Sequence, residues 1–598
     1  MVQPVVRARR IFSANQLLLL LATVYFAINA RWVWLYRQNN LLDIDEAGYL
    51  SMAFSYYRSL SGSGLSDWFK SVLYPGIQAP ITPALASLLF WISTPSILTG
   101  FAVPLLAGVV CVVGTYWLAR CLMTAPKALL AAALVAACPL LTIFARSFHF
   151  SIPATALLTL ALVCMLRSQN FSRPLWASLF GICMGLLPLT RTMTIAFLPG
   201  LVVGAAVHTV AQRRALGPRL GAFVWSLILA IIVAGTWLLG SASQVFGYLF
   251  NFGYGHQAAE YGSKQSLFSL KVWQDIFETF LVNIYLPHTL LLLAGLLAAC
   301  YLVVRILFRC GIRVAINDLA RSPALPLTLV LAAAILALAS TQNRGSAFIA
   351  PVLPLAIVLS VWAIDSCFDN RSFRSTLAFL GGVICVTATV PLVDLLWTSS
   401  RPWIVPLPGL GMSSIVTSGK GTMQNYELMG MGVNGQPYSV AANSSIEPLT
   451  ATQRQDWLKL INQSSQALRV NPASSKGGVA FGFRHHFLNP NTVRLASLIQ
   501  GVDLFKLPMI APLQVENSVK GYVDWLTTKD GADACLLLTF SGEQGIFMPI
   551  VSDKAMVKAA QIAGFTPAQI GWPQLASSYC FGREICQRML ANNVVYGY

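Results

Sequence analysis

Acidic side chains are scarce in the first half of this 598-residue chain, and three of them lie close together. Asp43, Asp45 and Glu46 fall within four consecutive residues, and no aspartate or glutamate occurs between Asp67 and Glu260. A carboxylate beside a hydroxyl group can remove its proton, and carboxylates also hold metal ions. In the alternative interpretation, these acids cap the first turn of a surface helix and complement its dipole.

Three arginines follow a pattern that suits the binding of phosphate. Arg146, Arg191 and Arg344 each lie at one end of a long apolar segment, and a guanidinium group offers a rigid fork of donors to phosphate oxygens. Alternatively, such side chains extend to lipid headgroups. His149, close to Arg146, is a further candidate ligand of phosphate or metal, although a lone histidine is more often structural.

The composition determines which elements must position these side chains. The chain is 56% hydrophobic and only 10% charged, whereas soluble proteins carry about 25% charged residues. This excludes a soluble globular enzyme and a disordered chain, and it predicts a polytopic α-helical membrane protein. The net charge of +18 is explained by basic cytoplasmic loops, so no nucleic-acid partner is needed.

The basic residues also predict the topology. Arg7, Arg9 and Arg10 precede the first apolar span, and five later clusters of Lys and Arg separate the following spans in pairs. Since such clusters stay in the cytoplasm, we predict a cytoplasmic N-terminus and about eleven transmembrane helices in the inner membrane. The predicted spans are 16–36, 100–119, 128–145, 150–166, 174–190, 192–211, 220–241, 285–307, 323–341, 346–366 and 375–398.

Residues 37–99 are predicted to form an outer loop. Within it, 45–60 has the pattern of an amphipathic helix on the membrane surface. The apolar stretch 80–95 is too short for a span and contains Pro80 and Pro83, so it is interpreted as re-entrant or interfacial. Counting it as a crossing would place all five basic loops outside.

The chain divides near residue 400 into a transmembrane catalytic domain (1–400) and an extracytoplasmic soluble α/β domain (401–598). In the second, we predict strands at 478–483, 492–499 and 534–540 and helices at 451–468, 553–563 and 582–592. Its role is acceptor binding or structural support. A disulfide between Cys580 and Cys586 is one expectation for an oxidising compartment, and it would leave Cys535 buried and free.

Several motifs together resemble the GT-C glycosyltransferases, in particular the branch of the protein O-mannosyltransferases and the lipid A aminoarabinose transferase. Asp45-Glu46-Ala47-Gly48-Tyr49-Leu50 is similar to the Asp-Glu-Ala-x-Tyr signature of that family. The resemblance covers roughly residues 16–366. The other motifs that carry it are Gln78-Ala79-Pro80-Ile81-Thr82-Pro83, Leu106–Arg120, Phe144–Ser151, Gly185-Leu186-Leu187-Pro188-Leu189-Thr190-Arg191, and Asn343-Arg344 followed by Phe348–Pro354.

The resemblance implies transfer of a sugar from a polyprenyl phosphate to an acceptor hydroxyl on the outer face, with inversion. It makes Asp45 the base, with Glu46 supporting it or binding a metal, and it places Tyr49 at the donor. Arg191 stands where the family has a phosphate-binding lysine. Ser151 stands where the family has a second acid, which puts a divalent metal in doubt.

Residues 242–284 form the second long outer connection, and the corresponding loop of the family closes over the lipid-linked donor. The resemblance therefore implies a flap in which Tyr254, His256 and Lys264 contact donor or acceptor. An aromatic belt with flexible turns explains the same composition.

Two other functional classes remain open. A transporter or flippase for a lipid-linked glycan is the main alternative, although transporters place charges at mid-depth and the candidate residues here lie at predicted outer ends. A non-catalytic scaffold is the third class. The acceptor, whether glycan, lipid or protein, is not determined by the sequence.

Overall fold

The fold is described from a computed structural model of the chain. The described residues are 13–38, 41–211, 215–255, 258, 264–367, 375, 378–385, 403–407, 412–417, 451–470, 477–483, 485, 487–504, 507–508, 515, 518–529, 531–540, 553–568 and 578–583. His256 and Cys586 lie outside them.

The described residues between 13 and 367 are mostly helical. The α-helices, in chain order, are α1 (Ala14–Arg37), α2 (Ile44–Ser63), α3 (Leu65–Val72), α4 (Ile81–Ile92), α5 (Ile97–Arg120), α6 (Ala125–Ala136), α7 (Pro139–Ala145), α8 (Ser151–Arg167), α9 (Pro174–Thr190), α10 (Leu198–Val210), α11 (Leu216–Gly253), α12 (Leu270–Asn283), α13 (Tyr285–Arg321), α14 (Ala324–Ser340), α15 (Ser346–Ile349) and α16 (Leu353–Cys367). Short 3-10 turns, Thr192–Phe197 and Ala350–Val352, precede α10 and α16.

Helices lie at the first ten predicted spans, and the eleventh, 375–398, falls mostly outside the described residues. By length and composition, six helices of the described part can cross a membrane, or seven if the bent pair α6–α7 counts as one. Four more apolar helices are shorter, namely α4, α8, α9 and α14. The count of eleven therefore stays a prediction, and so does the re-entrant character of α4.

The predicted flap is much shorter in the structure than its boundaries 242–284. Helix α11 continues to Gly253, and α12 starts at Leu270. No proline follows residue 241 within α11, and the apolar residues Val245, Phe246, Leu249 and Phe250 continue the helical pattern, so the helix extends there. Residues 254–269 lie between the two helices, and 256, 257 and 259–263 of them are outside the described residues.

Close contact between α9 and α11 depends on small residues. A side chain at Gly181 would place its Cβ 2.2 Å from the Ser226 carbonyl oxygen, and one at Gly185 would lie 2.6 Å from that of Ala230. Small residues four apart let helix backbones approach closely in a membrane, where packing replaces hydrophobic burial as the driving force.

The C-terminal part contains a four-stranded sheet with the order β3 (Val479–Phe481), β4 (Leu536–Phe540), β6 (Ser578–Arg583), β5 (Phe565–Pro567). β3 and β4 are parallel, and the other neighbours are antiparallel. A separate hairpin pairs β1 (Trp403–Leu407) with β2 (Met412–Thr417). The helices are α17 (Ala451–Arg469), α18 (Pro490–Ile499), α19 (Val519–Thr528) and α20 (Asp553–Ile562).

Two local predictions for this part are wrong. Residues 492–499 form helix α18 and not a strand, because Asn489 caps the helix and Pro490 suits its first turn. The helix predicted from 582 is contradicted at its start, since strand β6 runs to Arg583.

The expectation that Cys535 is free is also wrong. Cys535 is disulfide-bonded. The side chains of Cys580 and Cys586 lie outside the described ones, so their pairing stays a prediction.

Helix α18 packs along α2 and joins the C-terminal part to the helical bundle. Leu495 and Leu498 share a buried cluster with Leu42, Ala47 and Leu50. A cavity of about 960 Å³ lies beside this contact, between the end of α1, the start of α5, α17 and α18. The segment that carries the acidic motif is therefore covered by the C-terminal part.

We expect Gly181→Ala to destabilise the protein by about 1–3 kcal/mol, because the added methyl group overpacks α9 against the backbone of α11. Gly221→Ala, on α11, is the matched control, since its Cβ would meet no atom within 4 Å. The measurement is the thermal unfolding midpoint in detergent. Equal midpoints for the two variants would contradict the close packing.

Candidate active site

Asp45 lies at the end of the bundle where α1 stops and α2 begins, which we call the site end. The carboxylate of Asp43 caps α2 by accepting from the backbone N–H groups of Asp45 and Glu46, both at 2.8 Å. Asp43 is buried, whereas Asp45 is exposed. The cap expected in the alternative interpretation is thus present, but it is Asp43 that makes it, and Asp45 remains accessible to a ligand.

Glu46 forms a buried ion pair with Arg37, the last residue of α1, and each side chain is 1% exposed. Its second carboxylate oxygen, Oε1, accepts from Ser147 Oγ at 2.7 Å and from the Phe148 N–H at 2.9 Å. The Arg37 guanidinium also stacks on Phe101 at 4.9 Å. One carboxylate therefore ties α1, α2 and the turn after α7 together.

Arg37 was not among the residues that the sequence singled out. A signal was present, because it is an arginine at the predicted outer end of a span, as are the three that were chosen. Its Nε and Nη1 find no hydrogen-bond partner among the described residues. Because so few groups bind the buried Arg37 guanidinium, its charge depends strongly on the ion pair with the Glu46 carboxylate.

Arg146 is buried against α1. Its Nε donates to Asn29 Oδ1 at 2.7 Å, and its guanidinium stacks over Trp32 at 4.5 Å. Only 3% of the residue is exposed. These contacts indicate that Arg146 joins the turn after α7 to α1. They favour this role over the predicted contact with phosphate.

Arg191 lies in the short turn after α9 and joins two other turns of the site end. Its Nη1 donates to Ser151 Oγ and to the Ala347 carbonyl, the latter at 2.6 Å, and its guanidinium lies over the Phe348 ring at 5.0 Å. The side chain, which is largely buried, thus presents a positive charge where α8, α9 and α15 meet.

His149 shares a hydrogen bond of 2.8 Å with Ser151 through its Nδ1, which also accepts from the Ser151 N–H. Burial lowers the pKa of His149 well below its usual value, and the positive charge of Arg191 lowers it further. The imidazole is therefore neutral at physiological pH and positions Ser151, which in turn accepts from Arg191.

Tyr49 lies near both Asp45 and Arg191. Its ring stacks on Phe150 with 3.9 Å between centroids. Burial raises the pKa of Tyr49 well above its usual value, the nearby Asp45 carboxylate raises it further, and Arg191 acts in the opposite direction. Since such effects weaken with distance, Asp45 and Arg191 both lie near the Tyr49 phenol group.

Arg344 is held by an acid that the sequence reasoning missed. Its Nη1 donates to Asp275 Oδ2 at 3.1 Å, and the other oxygen of Asp275 pairs with Lys271 at 2.8 Å. The Arg344 side chain is 9% exposed, and its Nε and Nη2 have no hydrogen-bond partner among the described residues. Asp275 lies within the segment 242–284 that was predicted to be a flap loop. Its position on a helix, and therefore its ion pair with Arg344, was not predicted.

An apolar cavity of about 230 Å³ opens beside these arginines, between α11, α14 and the turn before α10. Phe348, which stacks on Arg191, lines it together with Tyr254 and Asn343. The Tyr254 hydroxyl shares a hydrogen bond of 2.7 Å with Ser340 Oγ. Lys264 is exposed on the connection to α12, and His256 lies outside the described residues.

The side chains present do not fit a divalent metal ion. Both oxygens of Glu46 are engaged by Arg37, Ser147 and the Phe148 N–H. Ser151, in place of a second acid, receives the cationic guanidinium of Arg191. In the part of the chain that the structure describes, no three His, Cys, Asp or Glu side chains form a group suited to a metal.

The chain is similar to a known protein family in sequence and to several solved structures in fold. Residues 77–239 match the model of the dolichyl-phosphate-mannose-protein mannosyltransferase family. The match includes α4 to α10 and contains Arg146, Ser151 and Arg191. No curated protein sequence matches the chain.

ArnT from Cupriavidus metallidurans in the apo state aligns over 95% of this chain and 98% of its own, with a TM-score of 0.52 and 14% sequence identity. The same protein bound to undecaprenyl phosphate gives a TM-score of 0.51 at the same identity and coverage. The chain has the GT-C fold. The archaeal oligosaccharyltransferase AglB from Archaeoglobus fulgidus, in complex with an inhibitory peptide and a dolichol-phosphate, aligns over 88% of this chain and 69% of its own, with a TM-score of 0.49 and 12% identity.

The GT-C fold confirms the predicted class, a multi-pass α-helical membrane protein, and the resemblance that the motifs suggested. The family whose model matches residues 77–239 consists, by its description, of mannosyltransferases that use dolichyl-phosphate-mannose.

We expect Arg37→Met to lower the stability by about 3–5 kcal/mol, because it leaves the Glu46 carboxylate buried without its cation. The double variant Arg37→Met/Glu46→Gln removes that charge as well, so we expect it to recover much of the loss. Thermal unfolding midpoints in detergent measure both. Lys70→Met breaks the exposed Asp67–Lys70 pair and is the control, and a similar loss there would contradict the special role of the buried pair.

Proposed function

We propose that the protein is an inverting glycosyltransferase, which moves a sugar from a polyprenyl phosphate to a hydroxyl group of a glycan, lipid or protein. The single observation that supports this best is that an exposed carboxylate, Asp45, and a buried cation, Arg191, both lie near Tyr49. Such a pair can deprotonate an acceptor and neutralise a phosphate leaving group in the same space.

Asp45 is proposed as the general base. The acceptor hydroxyl loses its proton to the carboxylate while its oxygen forms a bond to the anomeric carbon. The bond from that carbon to the phosphate oxygen breaks, and the lipid phosphate leaves with the electron pair. Asp45 suits this role because it is exposed, whereas Asp43 and Glu46 are buried and hydrogen-bonded to the protein.

Arg191 and Arg344 are proposed to bind the phosphate. Both lie close to the apolar cavity, through Phe348 and Asn343 respectively. A phosphate at the arginines would place the first prenyl units in that cavity, with Tyr254 at its wall. ArnT, which shares the fold, has been solved with undecaprenyl phosphate, and this supports a polyprenyl carrier.

Glu46 is proposed to support Asp45, the first of its two predicted roles, whereas Arg146 receives a different role from the predicted phosphate contact. We propose that both are positioning residues, since their contacts are with α1 and with the turn that contains Ser147. His149, held neutral, positions Ser151 for Arg191. The proposed reaction includes no metal ion, because Glu46 is engaged by Arg37, Ser147 and the Phe148 N–H, and Ser151 is engaged by Arg191.

The proposed place of action is the outer face of the inner membrane. The basic clusters of the sequence support this orientation, with a cytoplasmic N-terminus and residues 401–598 outside. A transporter or flippase of a lipid-linked glycan stays the alternative, and the next experiment separates the two.

We expect Asp45→Asn to lower the turnover of a defined polyprenyl-phosphate sugar by roughly 10²–10⁴-fold, the usual contribution of a general base. Donor binding is expected to persist, because the arginines are unchanged. The measurement is sugar transfer by purified protein with a panel of donors and acceptors. Asp67→Asn, an exposed acid that pairs with Lys70, is the control.

Failure of the wild-type protein to transfer sugar from every donor tested would overturn the enzyme hypothesis. Movement of the donor across a vesicle membrane without transfer would support the flippase alternative.

We expect Arg191→Gln and Arg344→Gln each to raise the KM for the donor by roughly ten- to hundredfold, since each removes a charge-assisted hydrogen bond to phosphate. The same variants should raise the dissociation constant of the free polyprenyl phosphate, which can be measured without turnover. Arg494→Gln, in the exposed pair with Asp503, is the control. Unchanged binding in both variants would contradict the proposed phosphate site.

A further inference from the structure

The peptide group that joins Ile44 to Asp45 is held from both sides. Its N–H donates to Asp43 Oδ1 at 2.8 Å, and its carbonyl accepts from Asn491 Nδ2, also at 2.8 Å. The second contact bridges 447 positions of sequence and comes from helix α18 of the C-terminal part. The backbone next to the proposed base is therefore fixed by a residue far from every motif.

The surface of α2 is shaped to receive Asn491. A Cβ at Gly48 would lie 2.9 Å from Asn491 Nδ2, so the amide occupies space that a larger residue would take. Ser51 Oγ lies 3.5 Å from the Asn491 carbonyl oxygen and donates to Ala47 at 2.7 Å. Gly48 thus has a packing role within the Asp45–Leu50 motif.

Asn491 is itself held by the C-terminal part. Its N–H donates to Asn489 Oδ1 at 3.0 Å, and Asn489 Nδ2 donates to the His485 carbonyl at 3.0 Å. His485 stacks on Trp457 of α17 with 4.5 Å between centroids. Burial lowers the pKa of His485 to about 4, so it stays neutral and its Nδ1 accepts from the Phe487 N–H.

We infer that Asn491 is a positioning residue of the active site, which holds the Ile44–Asp45 peptide so that the Asp45 carboxylate keeps its direction toward the acceptor. This rests on the proposed function, in which Asp45 is the base. Asn491 touches the backbone and not the reacting atoms, and a small displacement of a base has a large effect on proton transfer. The C-terminal part thereby contributes to catalysis without a catalytic group of its own.

Asn491→Ala tests this inference. We expect kcat to fall roughly two- to tenfold, the effect of one neutral hydrogen bond. The KM for the donor should stay the same, because the phosphate-binding arginines are untouched. Asn462→Ala is the matched control, since Asn462 is exposed on α17 and should behave like the wild type.

Gly48→Ala tests the same contact from the other side, because its methyl group displaces the Asn491 amide. We expect a similar fall in kcat, and the double variant Gly48→Ala/Asn491→Ala should be no worse than either single one, since both act through one contact. A structural defect without this link would instead give additive losses.

Hydrogen–deuterium exchange over residues 43–50 gives a readout that does not depend on turnover. Both variants should exchange faster there, and the control should not. Unchanged exchange, or unchanged kcat in an active enzyme, would overturn the inference. If the wild-type protein transfers no sugar, the proposed function fails, while the exchange result still decides whether Asn491 holds this segment.

Discussion

The arrangement of the site end depends on the buried ion pair between Arg37 and Glu46. Taking both charges out of water costs several kcal/mol for each, and the pair offsets this only if its geometry and its additional hydrogen bonds are maintained. The Glu46 carboxylate meets this condition by accepting from Ser147 and from the Phe148 N–H as well. The end of α1, the start of α2 and the turn before α8 therefore cannot move independently, and Asp45 takes its position from all three.

Charge made part of this site predictable. In an apolar chain, each acid or arginine at the predicted outer end of a helix is unusual, and this singled out Asp45 and Arg191, which both lie near Tyr49. The separate roles of Asp45 and Glu46 were not predictable. They depend on which carboxylate meets Arg37 and Ser147, and that follows from packing between segments about a hundred residues apart.

Other features escaped prediction because local patterns were ambiguous. The apolar run at 492–499 suits a strand as well as a helix, and only its cap at Asn489 decides for the helix. The aromatic and glycine residues after 242 resemble a loop, yet α11 continues to Gly253 and α12 carries Asp275 to Arg344. The prediction of a polytopic α-helical membrane protein was more secure than these local predictions, since it depends only on the hydropathy of long segments.

The length of α11 has a mechanical consequence. Its 38 residues span roughly 57 Å, whereas the hydrocarbon core of a bilayer is about 30 Å thick. A helix of this length must tilt strongly or project well beyond the lipid, and its last turn is tied to the end of α14 through Gln342 and Ser340. One wall of the apolar cavity therefore belongs to a long helix, and where that helix tilts to match a thinner or thicker bilayer, the width of the cavity would change with it.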